Sequence, residues 1–447
     1  MQIPFNLKNS TVMPIMARAM QPHDNGLTTF RDQRHMERDT GLPVDARQLA
    51  GPALISALRG SRACTWALVD DLTPAQWQPP LQDGVNPIAW ELAHLAWFAE
   101  FWVLRGPHDR AANGLTQACQ PPRFAGPDAH LDSARLAHGA RWTTPLPTRA
   151  QLATMLADQL EACIDAVPGT GDDAALYPHR LALFHEDMHG EALCWLRAAL
   201  GYPAPRDLAV PQVPACSPVA VRGGPMQIGV VAHAPGFVFD NERPGLAVDL
   251  PDFEIDSAPV TAVAFARFVD AGGYVQPQYW PGAAGAWRTQ SGSNHPQQWR
   301  RDPHRVAHGN SPRSPRGEWQ MHWFDQWLPL EPGMPAMHLN AFEAEAYCLW
   351  AGRCLPTAAQ WECATLQTPA LHWGHSVWEW TADAFKPYPG FAPGPYREYS
   401  APWFGDHREL RGGAFATHAR LHDARYRNFF LPQRTDVFTG FRTVAPC

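Results

Sequence analysis

The stretch FHEDMHGEA, residues 184–192, decides how the first half of this chain folds. Its two histidines, His185 and His189, are four residues apart, a spacing that stacks them on one helical face about 6 Å apart at Cβ, close enough to share a metal ion. Leu181, Ala192 and Leu196 continue an apolar face, so the imidazoles are expected to point inward. A third imidazole lies upstream in NPIAWELAHLAWFAEFW, residues 86–102, where His94 shares a helical face with Trp90, Trp97 and Phe101. An unpaired imidazole on such a face costs stability. Three neutral histidines from two helices can hold a divalent metal and leave coordination positions open. Glu186, Asp187 and Glu191 are expected to orient the imidazoles from behind. A two-histidine, one-carboxylate set with Asp187 or Glu191 in place of His94 stays open, although Asp187 lies about 160° from His189 around the helix axis. Zinc and iron both accept these ligands.

Helical periodicity extends outward from these two segments and predicts helices over 50–70, 87–105, 149–166 and 177–200. The stretches beginning at Asp71 (DLTPAQW) and Pro145 (PLPTRAQL) resemble helix starts. Four helices with apolar faces make a bundle, a common host for metal sites. Residues 1–45 lack periodicity and are expected to form a mobile arm; the bundle occupies 46–203, and a Pro-rich linker spans 204–218. From 219 to 447 the texture changes to short β-type runs, turns and tryptophans, with helices expected near Ala341 and Leu355 and a long irregular stretch over 272–335. The fold class expected is therefore α+β and multidomain, with little regular structure in the second half.

Composition narrows the function. Across 447 residues, 45% are hydrophobic and 18% charged, and the net charge of -7 without basic runs makes nucleic acid or an anionic membrane a poor partner. No apolar stretch reaches the about 20 residues of a membrane span, and the N-terminus lacks the apolar core of a secretory signal. Nine cysteines, an odd number with no CxxC pair, argue against a disulfide framework and for the cytoplasm. The sequence leaves the oligomeric state open.

In the second half, dense aromatic and Arg-bearing stretches begin at Val377, Leu410 and Tyr426. Most of their aromatics are expected to pack a turn-rich core. Asn428 and Arg434 differ, since polar groups inside an aromatic block must be paired or face a cavity. Tyr388, Tyr396 and Tyr399 in the preceding loop are candidate proton donors.

Together these elements resemble a known family. NPxxWExxHxAWFxE and HExxHxE are similar to the DinB-type bundle of the ergothioneine sulfoxide synthases. LPTxxxWE, VWEWT, LRGGxFAT and YRNFFxPxRxDxFxGFR resemble the formylglycine-generating-enzyme fold, a variant of the C-type lectin fold. The resemblance implies Fe(II) on His94, His185 and His189, and an O2-dependent reaction joining a chalcogen to C2 of the imidazole of hercynine, trimethylated histidine. It implies a proton role for Tyr396 first, then Tyr388 or Tyr399. It also implies hercynine binding by Asn428 with Phe429 and Phe430, and contacts to oxygen-rich or anionic groups by Arg434, Arg135 and Arg141.

Three departures bear on the donor. Met188 stands where the sulfur enzymes usually carry Gln, Asn428 is followed by Phe429 and Phe430 rather than by an Asn-x-Asp pattern, and HLDSARLAHGARWTTPLP (130–147) replaces an Arg-bearing stretch. These look closer to the selenoneine synthase branch, implying a selenosugar donor. A thiol donor such as γ-glutamylcysteine or cysteine is the alternative. A zinc-dependent thiol transferase or hydrolase, and a non-catalytic lectin-like binder, are the other classes kept.

Overall fold

The computed structural model describes residues 45–169, 171–302 and 318–446. The arm expected at 1–45 lies outside them except for Asp45, whose side chain caps a 3-10 turn at Ala46–Gln48. Four long helices follow: α1 (Gly51–Ala67), α2 (Ile88–Leu104), α3 (Arg149–Asp165) and α4 (Asp173–Ala199). Helix α2 is buried continuously from Ile88 to Trp102, because it packs against both α3 and α4. A helix apolar all round belongs at the centre of a bundle. Thr148 and Gln151 form a reciprocal capping box at the start of α3, as their spacing predicts.

The helix start expected at Asp71 is overturned. Thr73 and Gln76 do exchange capping hydrogen bonds, but only turns follow. Pro79 and Pro80 arrive too soon for a helix to propagate, since a residue before proline is driven out of the α region.

Between α2 and α3, the hairpin of β1 (His108–Arg110) and β2 (Thr116–Ala118) precedes a helical turn at Asp128–Leu131 and a 3-10 turn at His138–Trp142. After α4, the Pro-rich segment lies against the second half, where the Val213 amide donates to the Gly333 carbonyl. The second half pairs β3 (Pro218–Val221) with β6 (Phe253–Asp256) and β4 (Gly224–Ile228) with β5 (Leu246–Leu250). The stretch over 272–335, expected to be irregular, instead holds a nine-residue helix and a three-stranded antiparallel meander, with residues 303–317 outside the described set. The helices are α5 (Ala262–Asp270), which precedes it, and α6 (Ala283–Ser291). The meander is β7 (Trp299–Arg301), β8 (Trp319–Trp323) and β9 (Gln326–Pro329). The helices foreseen near Ala341 and Leu355 are α7 (Ala341–Ala351) and α8 (Ala358–Gln367), capped by Asn340 and Thr357.

The largest sheet has the order β12-β11-β10-β13. It is built from β10 (Trp378–Ala384), β11 (Arg408–Arg411), β12 (Asn428–Phe430) and β13 (Thr439–Gly440), with β13 parallel to β10. One apolar cluster runs from Trp90 and Phe184 in the bundle to Trp378 and Phe438 in the second half. Helix α4 is tied across that junction by two carboxylates. Glu191 accepts from Trp378 Nε1 and Thr417 Oγ1 at 2.7 and 2.6 Å, and Asp187 is held bidentately by Arg420. Among the described residues no helix is long and apolar enough to cross a membrane.

Candidate metal centre

Helix α2 brings His94, and two successive turns of α4 bring His185 and His189, to one point. Their ligand nitrogens all lie within 4.8 Å of one another. Two of the rings are fixed from behind. Nδ1 of His94 lies 2.7 Å from the Leu131 carbonyl, and Nδ1 of His189 lies 2.6 Å from Glu91 Oε2. A neutral imidazole that donates from Nδ1 keeps its lone pair on Nε2, so both rings are left in the ligand tautomer. The third ring, His185, stacks flat on Phe98 with centroids 3.5 Å apart, while Trp90 stacks on His94 at 4.8 Å.

Burial, then the charge of His189, holds His94 down at about 3. Burial and the two neighbouring imidazoles push His185 well below its ordinary value. Metal binding requires neutral imidazoles, and burial favours that form at His94 and His185. Burial opposes the charge of Glu91, but His189 and the Asn86 amide outweigh it and hold the carboxyl at about 2. Three imidazole nitrogen donors from two helices, two of them held through Nδ1 from behind, fit a divalent transition metal.

A cavity of about 720 Å³ opens from His94. Its walls are mostly aromatic: Trp97, Phe98, Phe101 and Trp102 from α2, then Tyr396, Tyr399, Phe429 and Phe430. Thr116, Asp132, Glu398, His407 and Arg434 supply its polar groups. The hydroxyl of Tyr396 makes no hydrogen bond among the described residues, and its ring packs edge-on to Phe98 and Trp102. Burial raises its phenol above the ordinary range. Tyr399 is 2.8 Å from Tyr426, whose hydroxyl donates to Met188 Sδ.

Several of the expected residues lie away from the cavity. The acidic residues of α4 point away from the imidazoles. Glu186 pairs with Arg62, Asp187 bonds Ser61 and Arg420, and Glu191 reaches into the second half. The orienting carboxylate is Glu91, one turn before His94 on α2; an acid one turn from the histidine in a largely apolar helical run was the signal for it. Tyr388 is not among the lining residues; its ring lies under the Arg427 guanidinium at 4.0 Å and its hydroxyl accepts from Arg411. Asn428 is not part of the cavity lining, its amide oxygen being turned back onto the Phe429 amide at 2.8 Å.

Met188 also lies outside the lining, committed to Tyr426. Arg135 and Arg141 are behind the wall, each claimed by neighbours: Arg135 by Asp132 and the Thr116 carbonyl, Arg141 by Asn86 and the face of Trp90. Arg434 does line the cavity, clamped bidentately by Asp436 and stacked over Phe430 and Trp195. Sequence reasoning missed Asp132 and Glu398, because a carboxylate in a loop carries no periodic signal.

The fold and cluster define a class, a three-histidine helical bundle joined to a largely irregular aromatic domain. The DinB superfamily matches residues 57–193, and the sulfatase-modifying factor enzyme 1-like domain matches 207–370 and 373–446. The chain is 31% identical to the hercynine oxygenase of Mycolicibacterium thermoresistibile over 459 residues, covering 90% of this chain and 96% of the relative. It is 31% identical to the hercynine oxygenase of Mycobacterium tuberculosis, covering 86% and 96%. The formylglycine-generating enzyme of Streptomyces coelicolor is 27% identical and covers 55% of this chain and 95% of its own. The chain belongs to the hercynine oxygenase family.

Proposed function

We propose that this chain is an O2-dependent enzyme that joins a chalcogen to imidazole C2 of hercynine, using Fe(II) held by His94, His185 and His189. The observation that carries the reading is the three-histidine cluster whose His94 lines an aromatic cavity, in a chain similar over nearly its full length to hercynine oxygenases. Bound there, Fe(II) supplies open positions for O2 and for the donor together with redox chemistry that zinc lacks. The protein's own part is binding, orientation and proton handling. The aromatic walls suit a trimethylammonium, which is attracted to π faces and needs no hydrogen bond. Asp132 and Glu398 add negative charge to the same walls. The free hydroxyl of Tyr396 is the group that holds or moves the proton. The eight described cysteines are all free thiols, which supports a cytoplasmic location.

The relatives favour a sulfur donor, as in ergothioneine-type sulfoxide synthesis. One observation favours the second reading, an uncharged sugar-borne chalcogen such as a selenosugar. Arg434 is the only arginine or lysine among the described lining residues, and Asp436 already pairs with it. A thiol with two carboxylates, such as γ-glutamylcysteine, finds no unpaired arginine or lysine among the described lining residues. The test is aerobic reconstitution with Fe(II), hercynine and competing selenosugar, γ-glutamylcysteine and cysteine, followed by mass spectrometry. A hercynine adduct supports the function, and the donor atom in it decides between the readings. If no donor gives an adduct, the function is overturned; turnover with zinc in the absence of O2 supports the thiol transferase or hydrolase class instead.

A further inference from the structure

We infer that Arg141 is a positioning residue for the metal centre, setting the orientation of two of its three imidazoles from behind the cavity wall. The inference rests on the reading of His94, His185 and His189 as metal ligands. One route from Arg141 is a chain of hydrogen bonds. Its Nη1 donates to Asn86 Oδ1 at 2.7 Å, Asn86 Nδ2 donates to Glu91 Oε1 at 2.5 Å, and Glu91 Oε2 meets His189 Nδ1 at 2.6 Å. The other route is stacking. The guanidinium lies 4.1 Å over the Trp90 ring, and Trp90 lies 4.8 Å from His94 with the planes 9° apart. One side chain therefore backs a ligand on each of the two helices. His185, packed against Phe98, is reached by neither route.

The turn that carries Arg141 is built against the residues leading into α2. His138 Nε2 lies 2.7 Å from the Val85 carbonyl, and Trp142 Nε1 donates to the Pro79 carbonyl at 2.7 Å. With Arg141 on Asn86, three side chains of the 138–142 turn fix the segment 79–86. An arginine is suited to this double role, because its planar guanidinium can stack and donate at once, whereas a lysine ammonium donates as a point charge. Groups that orient a ligand histidine through its second nitrogen are typically worth about 10–100-fold in metal affinity.

The test uses the full chain and reads metal binding rather than turnover. Co(II) is titrated into wild type, Arg141→Met, Arg141→Lys, Asn86→Ala and Arg149→Met, following visible d–d absorption and affinity against a chelator. Arg149 is the control, since it covers Trp77 in the same bundle without touching the cluster. Circular dichroism of the metal-free proteins checks that each variant folds. Arg141→Met and Asn86→Ala are expected to weaken Co(II) binding about 10-fold or more and to alter the spectrum. Arg141→Lys should fall between Arg141→Met and wild type, and Arg149→Met should match wild type. Wild-type affinity and spectrum in both Arg141→Met and Asn86→Ala would overturn the inference, as would an equal loss in Arg149→Met. If wild type itself binds no metal, the metal-centre reading fails with it, a result distinct from the first two.

Discussion

The bundle and the second half both bury charged and polar side chains, and they do so for different ends. In the bundle, His94, His185 and His189 converge on one point, with Glu91 behind His189 and His94 lining a cavity. In the second half, buried arginines are closed off by carboxylates: Arg442 by Glu379 at 2.5 Å, and Arg411 and Arg427 by the shared Glu409 at 2.8 and 2.7 Å. The first arrangement keeps donors available to a ligand. The second pairs these three arginines internally. Buried polarity thus reads as function only where it remains open to a cavity.

The comparison is broken most sharply by exchanging its terms. His189→Ala should abolish metal retention and drop product below detection while leaving the far-ultraviolet circular dichroism unchanged; metal analysis and product assay check this. Glu379→Ala leaves Arg442 buried and unpaired, an error that typically costs about 3–5 kcal/mol. Urea unfolding should show a loss of that size, and a loss under about 1 kcal/mol would remove the stabilising role given to these pairs. Tyr396→Phe keeps the ring packing and removes the proton, so the rate should fall by about 100-fold with folding and metal affinity unchanged, read from steady-state kinetics.

The smallest effect is a pH slope in the second half. Burial, which outweighs its hydrogen bonds from Tyr274 and the Asn340 amide, raises the Glu343 carboxyl from 4.5 to about 7. Between those values the folded protein holds a proton that the unfolded chain has lost. Stability from this group is therefore complete below about 4.5 and declines as pH rises toward 7. Glu343→Gln should flatten that part of the stability profile, as measured by thermal melts across the window.

The two halves also differ in how far the sequence foretold them. The bundle is local and periodic, so its four helices, the Thr148 cap and the three histidines are all legible along the chain. The partner of His189 was within reach, since Glu91 stands three residues from His94 on the same helix. The second half depends on long-range pairing. Nothing local announces that Trp378 will seek Glu191 or that Arg442 will seek Glu379, residues separated by 187 and 63 positions. The same limit explains Arg135 and Arg141. Their charge suggested substrate contact, but only the fold shows the carboxylate, amide and indole that already hold them. At Asp71 the local signal was read correctly in its first turn and then defeated by Pro79 and Pro80.

The central claim is that the three histidines hold iron for O2-dependent chemistry at C2 of hercynine. The most direct measurement follows hercynine carrying deuterium at imidazole C2, incubated with the full chain and the competing donors, and weighs the product by mass spectrometry. The account predicts a chalcogen adduct that has lost the deuterium and forms only when Fe(II) and O2 are both present. An adduct that retains the label, or one that forms with zinc and no O2, would contradict it.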